Sequence, residues 1–482
     1  MNNSSSSAEI ADELAREVIP LPAGTRLPTH RALVTRFGAS ASTVSQALAL
    51  LTQRGLVVSR PGAGTFRARP EPSTSSGDTS WQEAALALNP GLAEGNPGAR
   101  DFTSPGLLNT VSTPGPGVID LNGGYPHHSL LPMKALSSAL ARAARRPQAW
   151  ERPPIGGLPD LRTWFAEDIG PGLGREDVLI VGAGQAALST TMRAVAQPGD
   201  PVVLESPTYP GAVAAARAAG LRPVGLPLDA HGMRPDYLDD ALARTGARLV
   251  VLQPLFQNPT GASVTEERAR ELLAVTRSHE AFVLEDDYAR HMTHSDCLTP
   301  VKPLVLLDTD GVVIHIRSLT KVASPNLRVG GLAARGPVLE RLRMAHMIDT
   351  MMVPAPLQHT AVEVLTSPAW RRGLAELQAS LTERRRAAVR GVVATLGAEA
   401  LPEHPRGGYH LWIRLPRGTD EAGFVAAALA HGVALAPGAN FHTGQPDAAR
   451  VRLSYAATPT TADLTAGISR LGGLLPAESA KG

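Results

Sequence analysis

From residue 118 to about 340 the chain alternates short, unbroken apolar runs with longer amphipathic stretches. The runs VLIVGAG (178–184), PVVLESP (201–207), RLVVLQP (248–254), AFVLEDD (281–287) and VVIHIRS (312–318) are rich in Val, Ile and Leu. Continuous apolar runs of that length, separated mostly by helical patterns, predict a largely parallel sheet buried on both faces. Beyond residue 340 a helix-rich stretch leads to YHLWIRLP (409–416) and RVRLSYA (450–456), which predicts a second, smaller α+β subdomain.

The first seventy residues follow a different pattern. EIADELAREVI (9–19) has apolar residues at helical spacing, and LPTHRALVTRF (27–37) opens a second helix behind Pro28 and Thr29. SASTVSQALALLTQRG (40–55) makes a third, capped by Ser40 and stopped by Gly55. LVVSRPGAGTFRA (56–68) reads as a hairpin around a glycine-rich turn. Three helices and a wing predict a winged helix-turn-helix whose third helix enters the major groove of DNA. In residues 70–117, 25 of 48 positions are Gly, Pro, Ser or Thr, which predicts a linker, with WQEAALALN (81–89) forming one short helix. The expected organisation is a winged-helix α+β domain over 1–69, a linker over 70–117, and an α/β body over 118–482 ending in a small α+β subdomain.

Composition sharpens this picture. A chain of 482 residues exceeds what one core supports. No apolar run approaches the ~18 residues of a membrane span, and MNNSSSSAE has no basic and apolar leader pattern, so no membrane partner and a cytoplasmic location are expected. The single cysteine, Cys297, excludes an intrachain disulfide and a cysteine zinc cluster, and no metal is expected. The net charge of +2 hides an asymmetry: Val18 to Pro70 carries seven Arg and no acidic residue. A basic head on a near-neutral body points to nucleic acid.

Only four of the 46 basic residues are lysines, and one, Lys321, lies in SLTKVASPNLRVG (318–330). A pyridoxal 5'-phosphate enzyme holds its aldehyde as a Schiff base on lysine, pairs the pyridine nitrogen with a carboxylate, and anchors the phosphate with hydroxyls, amides and an arginine. Each group has a candidate. Asp286 in VLEDDYAR is assigned to the ring nitrogen, since only one of the adjacent Asp286 and Asp287 can point into a site. Asn258 in QNPTG and Tyr288 are assigned to the phenolic oxygen, and Tyr209 to stacking on the ring. Ser318, Thr320 and Arg328 are assigned to the phosphate, with the amides of Gly184 and Gln185 at a strand-to-helix turn. Arg452, on a late strand, is suited to hold a substrate carboxylate.

The head resembles the GntR family of bacterial regulators, whose LPS-x-R, S-R-x-T-V and G-x-G-T-F patterns are matched by LPTHR, SASTV and GAGTF. The resemblance implies DNA contacts from Arg31, Ser40, Ser42, Thr43, Gln46 and the wing around Gly62 and Gly64. Ala41 stands where that family has an arginine, which removes a bidentate guanine contact. Residues 118–470 resemble fold type I aminotransferases in motifs, order and spacing. Joined to the head, the chain looks like the MocR branch, which implies a homodimeric sensor of pyridoxal phosphate and an amino-compound effector, acting on operator DNA. Two departures stand out. Asn258 occupies a position where many members carry an aromatic residue, and this enzyme-like form leaves transamination open; WERPPIGG (150–157) offers Trp150 or Arg152 where the family has a tyrosine reaching the partner's phosphate. The expected function is a cofactor-dependent transcriptional regulator. Its alternatives are an active aminotransferase with a DNA-binding appendage and a cofactor-free dimerisation scaffold.

Overall fold

The computed structural model describes residues 7–19, 21–60, 63–68, 81–82, 98, 100–297 and 299–474. The chain divides into two compact units, Met1–Asn89 and Pro90–Gly482.

In the first unit, helices α1 (Ser7–Val18), α2 (His30–Phe37) and α3 (Ala41–Gln53) precede an antiparallel hairpin of β1 (Val57–Arg60) and β2 (Gly64–Arg67). The caps are those legible in the sequence. Thr29 Oγ1 accepts from Ala32 N at 3.3 Å, and Ser40 Oγ accepts from Thr43 N at 3.1 Å. Ile10, Leu14, Leu33, Val44, Leu51 and Val57 make one core. This is the expected winged helix-turn-helix. Gly62, assigned to the wing, lies outside the described residues, as does most of the short helix expected at 81–89.

The second unit is built on an eight-stranded sheet. Its strands are β3 (Val178–Val181), β4 (Pro201–Ser206), β5 (Arg222–Asp229), β6 (Gly232–Met233), β7 (Leu249–Leu252), β8 (Phe282–Asp286), β9 (Val313–Ser318) and β10 (Gly330–Ala333). Their order across the sheet is β3-β10-β9-β8-β7-β4-β5-β6. The five strands from β9 to β5 are parallel, whereas β10 runs antiparallel between β9 and β3 and β6 antiparallel beside β5. β3, β7 and β9 are buried at every position, as expected for strands covered on both faces. Near the end, β11 (His410–Arg414), β12 (Ala436–Pro437) and β13 (Arg450–Ser454) form the smaller antiparallel sheet.

One boundary differs from expectation. Residues 100–117 belong to this second unit and include the helix Pro105–Val111. Asp101 N donates to Arg217 O at 3.1 Å, and Thr110 O accepts from Gly124 N at 3.1 Å. Composition sees polar, broken sequence here; the backbone nevertheless finds partners on the body, and Thr110 is buried.

Candidate functional site

The C-terminal ends of the parallel strands open on one rim, where a fold of this kind binds its ligands. Lys321 lies in the turn just after β9, Asp286 ends β8, and Gln253 follows β7. After β3 the chain turns through Ala183, at φ +70°, into the helix Ala183–Val195, whose first turn carries Gly184 and Gln185. A non-glycine residue in that left-handed region is strained, and it sits where the first helical amides face the cavity.

All eleven residues assigned to cofactor and substrate line a single cavity: Gly184, Gln185, Tyr209, Asn258, Asp286, Tyr288, Ser318, Thr320, Lys321, Arg328 and Arg452. Lys321 Nζ donates to Gly124 O at 2.5 Å and lies 3.7 Å from the centre of the Tyr125 ring. Burial, then the charge of Arg452, brings its pKa down to about 7, against the pull of Asp286. Asp286 is pushed up to about 6 by burial, opposed by the 2.7 Å hydrogen bond that Gln253 Nε2 donates to its Oδ2. Its other oxygen has no donor among the described residues.

Asp287 faces the other side of the sheet. It receives Arg290 Nε at 2.5 Å and Arg317 Nη2 at 3.0 Å, and these guanidiniums outweigh its burial and hold its pKa down. Glu285 and His315 join it within 4.8 Å. With two arginines already on Asp287, this cluster is an ion-pair network and not a cation site.

Other assignments meet partners that sequence alone did not foresee. Tyr288 Oη donates to Phe256 O at 2.9 Å, so its oxygen faces a cofactor only as an acceptor. Asn258 Oδ1 accepts from Arg452 Nη1 at 3.1 Å, which leaves the Asn258 Nδ2 as its donor. Arg452, 1% exposed, also donates from Nη2 to Asn122 O at 2.8 Å and lies over Phe441. Ser318 Oγ donates to Thr320 Oγ1 at 2.9 Å, and Arg328 Nη2 to Gly182 O at 2.6 Å. Thr110, Val111, Gly124, Tyr125, Leu188, Gln253 and Tyr409 complete the wall, and sequence reasoning named none of them. One signal was available: four of the chain's six tyrosines, Tyr125, Tyr209, Tyr288 and Tyr409, line this cavity.

In the head, Arg31, Ser42 and Gln46 are exposed. Ser40 is the capping residue, with its hydroxyl 2.8 Å from both Ser42 Oγ and Thr43 Oγ1, so its oxygen is already engaged. Gly64 has φ +112°, and a side chain there would press on the Arg26 guanidinium. Arg36 pairs with Glu13 and Glu17, and Arg54 with Asp12, so both charges are balanced within the domain.

Comparison with known proteins gives this geometry a family. Residues 116–471 match the family model "Aminotransferase class I and II". The chain belongs to this family. Residues 6–66 match "Bacterial regulatory proteins, gntR family". The chain is 26% identical over 456 residues to an uncharacterized HTH-type transcriptional regulator of Bacillus subtilis, covering 94% of this chain and 92% of that one. It is 31% identical over 361 residues to the 2-aminoadipate transaminase of Thermus thermophilus, 74% of this chain and 90% of that one. A solved α-aminoadipate aminotransferase from the same species, complexed with N-(5'-phosphopyridoxyl)-L-leucine, superposes with a TM-score of 0.70 at 29% identity, over 77% and 97% of the two chains. A GntR head followed by an aminotransferase body is the arrangement of MocR-type regulators.

The cofactor of this family is pyridoxal 5'-phosphate, and the residues present fit it. An amine of depressed pKa, a carboxylate with one oxygen free, and the first turn of a helix at Gly184 and Gln185 all border the same space.

Proposed function

We propose that this protein is a pyridoxal-phosphate-dependent transcriptional regulator, which binds operator DNA through its head and senses the cofactor and an amino compound through its body. The observation that carries the reading is a chain with two parts: a winged helix whose third helix is exposed at Ser42 and Gln46, and a cavity with a group for every part of the cofactor. When bound, the cofactor supplies an aldehyde for a primary amine and an electron-withdrawing ring. Lys321 offers an amine that is about half neutral near pH 7. Asp286 holds the proton of the ring nitrogen, Asn258 meets the phenolic oxygen through its Nδ2, and Tyr209 covers the ring; Tyr288, whose hydroxyl donates to Phe256 O, braces the loop that carries Asn258 and does not donate to that oxygen. Gly184, Gln185, Ser318, Thr320 and Arg328 hold the phosphate.

The ligand class follows from charge. Among the described residues, the cations lining the cavity are Lys321, Arg328 and Arg452. With the first two engaged by the cofactor, Arg452 remains for one carboxylate. The effector is therefore an amino acid with a single carboxylate, its uncharged chain directed toward Thr110, Val111 and Leu188. Its carboxylate competes with Asn122 O for Arg452, and Asn122 Nδ2 in turn donates to Asn109 O on the helix Pro105–Val111 at 2.5 Å. Ligand binding thus bears on the first described helix after the linker, and by shifting a pre-existing equilibrium it repositions the heads. The working unit is a cytoplasmic homodimer, a reading supported by exposed apolar side chains such as Phe102 (79%) and Trp150 (73%).

The test is a spectrum of the purified protein with a panel of amino acids, followed by DNA binding with each responder. A ligand that changes both without turnover supports the sensor. The second reading, an active aminotransferase, is favoured by the enzyme-like Asn258 and Asp286 pair and by the transaminase relative. Multiple turnovers with 2-oxoacids and unchanged DNA binding would establish it.

A further inference from the structure

Gln253 was assigned no role from the sequence, yet it occupies a junction. It follows β7 and is 5% exposed. Its Nε2 donates to Asp286 Oδ2 at 2.7 Å, and its Oε1 accepts from Asn258 N at 3.0 Å. Its own backbone N donates to Glu205 Oε2 at 3.0 Å, and Gln257 Nε2 approaches the same oxygen at 3.4 Å. The amide orientation has one solution, because an ionised carboxylate only accepts and a backbone N–H only donates. One side chain therefore ties the carboxylate at the ring nitrogen to the loop that carries Asn258, which meets the ring's phenolic oxygen. Asn258 is held from its other end by Arg452.

We propose that Gln253 is a positioning residue: its amide keeps Asp286 ionised and aimed at the ring nitrogen, and fixes that carboxylate in register with Asn258. The inference rests on the assignment of Asp286 to the cofactor. The charged and titratable groups around Asp286 are Asp287 on its own strand, His315 on β9, Lys321 in the turn beyond it, and Glu205 on β4, with Tyr209 and Tyr288 beside the cavity. Of these, Asp287 opposes a charge on Asp286, as does Glu205 once it ionises above about pH 8, whereas Lys321 and His315 favour it. Gln253 is the neutral donor that offsets burial. A simple core glutamine would need satisfied hydrogen bonds; it would not need its two ends placed on the two groups that face neighbouring edges of one ring, the nitrogen and the phenolic oxygen.

Without the Gln253 amide the Asp286 carboxyl is ionised less readily, so the ring nitrogen holds its proton less. A neutral ring repels a proton on the adjacent lysine nitrogen less, and the visible absorbance of the lysine-bound cofactor then persists to higher pH. The experiment uses the full-length, cofactor-loaded protein. Gln253→Met keeps the volume and removes both hydrogen bonds; Gln253→Asn keeps the amide but is one methylene too short to span both partners. Both are expected to raise the pH midpoint of the visible band by half a unit or more and to weaken cofactor retention at least fivefold. The thermal unfolding temperature of the cofactor-free forms is expected to fall by less than that of the cofactor-loaded forms, since the partners left unpaired cost both alike and only the loaded form also loses the aim of Asp286. If the methionine variant does not fold, the asparagine variant decides. Variants that keep the wild-type midpoint and cofactor affinity overturn the proposal, as do variants whose cofactor-free form loses as much stability as the loaded one. Asp286→Ala separates the two levels: if it leaves the midpoint unchanged, the assignment of Asp286 falls and Gln253 with it. If Asp286→Ala shifts the midpoint and the Gln253 variants do not, only the role of Gln253 falls.

Discussion

In the proposed role, Lys321 would meet the cofactor aldehyde as a neutral amine, so the rate of capture should follow the neutral fraction of its side chain. An ordinary lysine, with a pKa of 10.5, is neutral in only about one molecule in 3000 at pH 7. Burial and the charge of Arg452 bring Lys321 to about 7, where about half is neutral, a gain on the order of a thousandfold in reactive amine. Capture by the cofactor-free protein, followed by stopped-flow absorbance, should therefore rise about tenfold per pH unit below 7 and level off above it. Two substitutions should move that midpoint in opposite directions. Arg452→Met removes a neighbouring cation, so Lys321 holds its proton more tightly and capture near pH 7 slows, with little change at pH 9.5. Asp286→Asn removes the anion that favours the ammonium and lowers the midpoint. Borohydride should fix the cofactor to Lys321, and Lys321→Ala should give no fixed adduct. A midpoint near 10, or a reducible adduct surviving in the alanine variant, would refute the reasoning.

Three further outcomes are expected. Arg452→Ala should weaken a monocarboxylic amino-acid ligand tenfold or more in spectral titrations, since paired charged hydrogen bonds contribute about 1.5–3 kcal/mol, and should weaken cofactor binding much less; a dicarboxylic amino acid binding as tightly as its monocarboxylic analogue would contradict the charge count in the cavity. In DNA binding measured against salt, Arg31→Ala should reduce the slope by about 0.9, the contribution of one phosphate, and Arg36→Ala should leave it unchanged because that charge is balanced by Glu13 and Glu17; Gln46→Ala should lower discrimination between sites by about 1–3 kcal/mol without altering the slope. Glu205, buried on β4, is pushed up to about 8, so the folded state binds its proton more tightly than the unfolded chain does. Its contribution is fully present below pH 4.5 and is lost as pH rises through 8, at no more than about 1.4 kcal/mol per unit, and Glu205→Gln should flatten the unfolding free energy across that window.

The large sheet was legible because parallel strands buried on both faces read as continuous Val, Ile and Leu runs. What those runs do not encode is order. β10, with the sequence GGLA, carries little apolar signal, yet it inserts antiparallel between β9 and β3. Similarly, Lys321, Asp286 and Asn258 could be found because each sits in a motif at a strand end. Gln253 sits at a strand end too, but the apolar run before it and the QNPTG after it gave no reason to single it out. Its importance lies in two hydrogen bonds to residues 5 and 33 positions away, and no local pattern contains them.

The segment 100–117 shows a more general limit. Glycine, proline, serine and threonine mark a chain that cannot build its own core, but they do not decide whether it can complete another's. Here the helix Pro105–Val111 hands its carbonyls at Asn109 and Thr110 to Asn122 and Gly124, and Val111 becomes part of the cavity wall. Asn122 and Gly124 are in turn the residues whose carbonyls receive Arg452 and Lys321. Removing Asn122's side-chain amide therefore tests whether this short helix is only a lid of the pocket or also the link to DNA. Asn122→Ala leaves its carbonyl to Arg452 and cuts the tie to Asn109. If the linkage is as proposed, ligand affinity should change little while the effect of ligand on DNA binding shrinks. An unchanged ligand effect on DNA would show that the signal leaves the body by another route.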